Sequence, residues 1–119
     1  MGKGLRYLSV LLSIAVCIHA DEDFISDYEY GQMLYLYPRG VSCVECHGDA
    51  GEGKVIAEFR DIHGAEQIIG PDIRTKTLVE MQEALNAYHK IMPRYYLTDE
   101  EVKAIYDFLQ EKNRRKKSK

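Results

Sequence analysis

The sequence predicts an all-α domain. Two observations carry this. Several segments repeat apolar side chains at helical spacing behind recognisable caps, and no stretch alternates apolar with polar residues cleanly over the length of a strand. The chain has 119 residues, enough for one domain.

Residues 24–37, "FISDYEYGQMLYLY", predict the first helix. Ser26 or Asp27 can cap its start, and Pro38 cannot continue it. Gly31 is costly inside a helix, so it implies close approach of a second helix. Tyr35 lies one turn further along the same face. Residues 48–53, "GDAGEG", form a glycine-rich loop. A short helix is expected over 54–61 and irregular chain over 64–74, around Gly70 and Pro71. Residues 77–90 read as a helix opened by a Thr77–Glu80 capping box, with Leu78, Met81, Leu85 and Tyr88 along one stripe. The clearest helix is 98–112, capped by Thr98 and Glu101. In it Val102, Ile105, Tyr106 and Leu109 follow the i, i+3, i+4, i+7 rule.

The two ends differ from the body. Lys3 and Arg6 precede an uncharged, mainly apolar run from Leu8 to Ile18, and Ala20 stands before the acidic "DED". A basic start, a short apolar run and a small residue describe a leader peptide over 1–20, removed on export to the periplasm. The run is shorter than the ~20 residues of a spanning helix. Residues 21–111 carry 8 Lys and Arg against 19 Asp and Glu, a net of −11, while "KNRRKKSK" at 112–119 adds six positive charges. The expected organisation is therefore a leader at 1–20, an acidic domain at 21–111 and a basic flexible tail at 112–119. The tail could meet a membrane surface or stay solvated. No broad basic face exists, which argues against nucleic acid as a partner.

"SCVECHG", residues 42–48, carries the chemistry. On a helix Cys43, Cys46 and His47 stand at i, i+3 and i+4 and share one face. Two thiols so placed can add to the two vinyl groups on one edge of a haem, and the adjacent imidazole then reaches the iron. C-x-x-C-H is the attachment signature of c-type haem. A redox dithiol would want a βαβ surround, which is not visible. A structural zinc site would want a fourth ligand, and consecutive Cys46 and His47 suit a tetrahedron poorly. Met33, Met81 and Met92 are the thioethers that could take the other face of the iron. Met81 has core packing as its plainer role. Met92 precedes Pro93, which keeps it extended between two helices, and it is the favoured ligand. His63 and His89 are the alternatives.

In these motifs the chain resembles class I cytochromes c, of the small monohaem bacterial kind. The resemblance runs from about residue 28 to 111, through Gly31 and Tyr35, "CVECHG", "GPDI" and "MPRYYLTDEEVKAIYDFL". It implies crossing N- and C-terminal helices around one covalent haem c, held by thioethers at Cys43 and Cys46. Gly31 would lie at the crossing, with Tyr35 packed on Tyr106 and Leu109. It further implies iron ligation by His47 and Met92, and a Pro71 carbonyl that accepts the hydrogen of the His47 ring. Arg74 and Lys76 are candidate partners of the haem propionates. The function implied is single-electron transfer between larger redox proteins of a respiratory chain. A haem subunit of a larger oxidoreductase, or a haem enzyme or gas sensor with a labile sixth ligand, is the alternative. With both iron positions filled there is no open site for a substrate, which reads as a carrier and not an enzyme.

Overall fold

A computed structural model describes residues 24–119, so the expected leader lies outside the described residues. The element order is α1 (Asp27–Leu36), α2 (Val44–His47), β1 (Lys54–Asp61), β2 (Gly64–Gly70), α3 (Leu78–Asn86) and α4 (Asp99–Lys117). No helix among the described residues is long and apolar enough to cross a membrane.

Helix starts follow the sequence closely because their signals are local. Ser26, Thr77 and Thr98 each sit in extended backbone and accept a hydrogen bond from the amide three residues on. Glu29, Glu80 and Glu101 return the bond to the cap amides, completing a capping box at each helix. α1 stops before Pro38, where the Tyr37 N–H bonds back to Met33 O at 2.7 Å.

The core is one cluster of Leu34, Tyr35, Met81, Val102, Ile105, Phe108 and Leu109. Burial of each large apolar side chain contributes about 1.5–3 kcal/mol. Most of these residues belong to α1 and α4, which pack directly. At the contact Gly31 has no side chain because the Ala104 carbonyl and Phe108 Cβ occupy that space. Phe108 holds Tyr28 and Tyr35 against it, with ring centroids 5.1 and 5.7 Å away. Tyr35 thus stacks on Phe108, a residue outside the stripe read from the sequence, and the expected Tyr106 is only half-buried.

Three expectations are corrected. The domain is not all-α, because residues 54–70 form an antiparallel β-hairpin instead of a short helix and irregular chain. Ile62 and His63 make the turn, and the His63 amide caps Asp61 Oδ1 at 2.7 Å. The register slips between Val55 and Ala57, where a bulge inserts an extra residue. A bulge breaks the alternation by which a strand is read, while β-branched Val55, Ile56, Ile68 and Ile69 favour extended chain. Helix α3 ends at Asn86, with Ala87 already extended. Tyr88 therefore leaves the stripe and is 89% exposed. Finally, the basic segment does not fray, since α4 continues to Lys117. Arg114 and Arg115 pair with Glu111, and the Arg115 guanidinium stacks 4.3 Å above the Tyr28 ring. Cations in a last turn also complement the helix dipole.

Candidate functional site

Cys43 is itself helical, at φ −59° and ψ −32°, so it forms one continuous turn with α2. The His47 amide bonds Cys43 O at 2.8 Å, which fixes Cys43, Cys46 and His47 on one face. Gly48, at φ 80°, ends the turn and its amide bonds Val44 O at 3.0 Å. The loop folds back under the turn, with the Gly53 amide donating to His47 O at 2.7 Å and the Ile73 amide to Gly51 O at 2.8 Å. The buried Tyr35 hydroxyl donates to Gly48 O at 2.7 Å. From the far end of the chain, Asn113 Nδ2 donates to Ala50 O at 2.9 Å. The first and last helices thereby hold the loop that follows the motif.

The hairpin sets the next contact. Gly70 ends β2 against the Cys46 carbonyl, where any Cβ would overlap it. That close approach puts the following Pro71 carbonyl 2.9 Å from His47 Nδ1. A carbonyl oxygen only accepts, so Nδ1 carries the hydrogen and Nε2 keeps its lone pair for a metal. Gly70 and the hairpin stem were not read from the sequence as parts of the site. The Gly-Pro pair was their one local signal.

These residues border a mainly apolar cavity of about 700 Å³, within the roughly 300–1,000 Å³ usual for small-ligand and cofactor sites. Cys43, Cys46, His47, Pro71 and Met92 all line it. Ile56 and Ile69 close one wall from the hairpin. The segment carrying Met92 is tied to the chain before the motif by the Tyr95 hydroxyl, which donates to Val41 O at 2.6 Å. Burial pushes the Cys43 thiol up to about 11, and the neighbouring Cys46 adds to this. Burial likewise pushes the Tyr95 hydroxyl up to about 12.

The other candidates separate by position. Met33 is 45% exposed on α1 and does not line the cavity. Met81 lines it, but as a member of the buried core. His63 sits exposed on the hairpin turn, away from the cavity. His89 borders the cavity with Nε2 2.6 Å from Ala84 O. Lys76 borders it too, paired at 3.6 Å with Glu80. Arg74 instead clamps Asp72 through both carboxylate oxygens, which with the Arg74 amide holds that carboxyl down at about 2.

Two thiols and an imidazole on one helical turn, beside an apolar cavity of this size, define a domain that binds a flat cofactor covalently. The cytochrome c family model matches residues 28–112, and the chain belongs to that family. Its cofactor is haem c, attached through Cys43 and Cys46. The residues fit the group: the cavity is large and apolar, and the one imidazole buried among the described residues, His47, uses Nδ1 for Pro71 and leaves Nε2 for iron. Haem c supplies an iron that accepts and returns one electron, so the domain serves haem-based electron transfer. No curated protein and no solved structure matches the chain.

Proposed function

We propose that the protein is a class I, monohaem electron carrier of a bacterial respiratory chain, exported to the periplasm after loss of residues 1–20. His47 and Met92 ligate the iron, and the Pro71 carbonyl orients the His47 ring and raises its basicity. The observation that supports the ligand set is that His47 and Met92 border the same cavity, whereas Met33 and His63 do not, and of the others that border it Met81 belongs to the buried core and His89 Nε2 is engaged with Ala84 O. A thioether paired with an imidazole favours reduced iron and gives a high potential. Tying Nδ1 of His47 to a backbone carbonyl limits reorganisation of the site between oxidation states. The acidic body, −11 over residues 21–111, steers partners with basic docking faces.

The test is a visible spectrum of the haem-loaded protein, oxidised and reduced, with and without carbon monoxide. The wild type should not bind carbon monoxide, and Met92→Ala should bind it and fall in potential. Carbon monoxide binding by the wild type would favour the gas sensor or enzyme reading. An unchanged spectrum in Met92→Ala together with carbon monoxide binding in His89→Ala would move the ligand to His89.

A further inference from the structure

The hairpin stands out from the rest of the domain. Every residue of β1 is exposed, and β2 is buried only at Gly70. The sheet has two strands among the described residues, and it meets the body at its stem beside α2. Beyond the cavity wall at Ile56 and Ile69 neither face of the sheet is covered, and a two-stranded sheet so exposed is marginally stable in water. An open strand edge is also a template for further pairing. No backbone hydrogen bond leaves residues 54–61 for anything but β2 among the described residues.

The sequence of β1 suits one occupant of that edge. The two-residue turn closes on Asp61 and Gly64, and antiparallel alternation then directs the backbone groups of Asp61 and Phe59 toward β2. Those of Glu58 and Arg60 face outward. We propose that this outer edge is an interface with a second copy of the chain, paired antiparallel about Phe59. In that register Glu58 of each copy stands opposite Arg60 of the other, twice by symmetry, and Phe59 stands opposite Phe59. Both kinds of cross-strand pair are favourable. Arg60 has no ion-pair partner among the described residues, and Phe59 is 47% exposed. Glu58 accepts one bond from Gln67, on Oε1, which leaves its second oxygen for an arginine. The equivalent pairing along β2 would set Glu66 against Glu66, so the interface belongs to β1. The contact is isologous, as closed dimers require, and a pairing along one short strand edge is of the small, reversible kind. Because β1 also carries Ile56 at the cavity wall, the pairing joins two haem sites through one four-stranded sheet.

Sedimentation velocity of the haem-loaded protein over a wide range of concentration tests this. A monomer–dimer equilibrium is expected. Glu58→Arg and Arg60→Glu should each weaken it about tenfold or more, because like charges then face each other at both pairs. The double variant E58R/R60E should restore it. Phe59→Glu, which sets two carboxylates at the axis, should also abolish it without touching the Gln67 bond. Absorption spectra and circular dichroism of the variants should match the wild type, since these side chains are exposed. A monomer at every concentration overturns the proposal. So does a dimer indifferent to the single charge reversals, or one that the double variant fails to restore.

Discussion

Gly31→Ala places a methyl group where α1 meets α4, and the structure allows the cost to be worked out. The new Cβ would overlap the Ala104 carbonyl oxygen and stand 2.7 Å from Phe108 Cβ and 2.9 Å from the Ala104 carbonyl carbon. Two of those three atoms are backbone, so no side-chain rotation relieves the clash and the helices must separate. Overpacking of this kind costs about 1–3 kcal/mol, and rigid neighbours put it near the upper end. Alanine regains about 1 kcal/mol of helix propensity over glycine. The net loss is about 2 kcal/mol, which for a domain of this size lowers the melting temperature by about 8–16 °C. Separation also loosens Phe108 from Tyr28 and Tyr35. The assay is thermal unfolding of the haem-loaded protein, followed by far-ultraviolet circular dichroism and by haem absorbance. The spectrum at low temperature should be unchanged, because Gly31 does not line the cavity. A melting temperature equal to or above that of the wild type would refute the close approach.

Three further outcomes are expected. Cys43→Ala and Cys46→Ala should each leave one thioether, and the double variant should retain no haem through denaturing electrophoresis. Met81→Ala should cost about 2–5 kcal/mol through its core cavity without opening the iron to carbon monoxide, so a carbon monoxide adduct in that variant would exchange its role with that of Met92. Arg39, bonded to Glu101 through both terminal guanidinium nitrogens, and the Thr98 amide hold the Glu101 carboxyl at about 2, below its ordinary 4.5. A depressed carboxyl stabilises the fold above its unfolded value, and that share is lost as pH falls from 4.5 toward 2. Glu101→Gln, which keeps an acceptor for the helix cap, should therefore flatten the fall in stability across that window in denaturant titrations.

What could be read from the sequence was what depends on near neighbours. The capping boxes at Thr77 and Thr98 need only residues three apart, and the Cys43–Cys46–His47 motif needs only one turn. The hairpin was hidden because the bulge at Val55/Ala57 removes the alternation that announces a strand. Its exposed faces also give no apolar stripe to compensate. The reach of α4 to Lys117 was hidden for a different reason. It depends on Asn113 meeting Ala50 and on Arg115 meeting Tyr28, contacts with residues far away in the sequence. Phe108 was missed at the core because its partners Tyr28 and Tyr35 belong to another helix. In the site, the motif cysteines and histidine were legible from spacing alone. The part played by Gly70 was not, because the Cys46 carbonyl it abuts belongs to a helix distant in sequence and brought near by folding.

The Asn113 contact bears on the order in which the molecule is assembled. The loop behind Cys46 and His47 is held by Asn113, and Leu109 lies a turn earlier on the same helix. Both lie on α4, far along the chain from the motif. Until α4 docks, that loop is held only by Tyr35 and by its own backbone bonds, and Cys43 and Cys46 are less enclosed. Thioether formation then has a window while the thiols are still in water and have not yet acquired the high proton affinity that burial gives Cys43. Closure of α4 onto α1 ends that window. A chain cut short before Asn113 would still present its thiols to haem, but it would lack the clasp that locks the loaded motif in place.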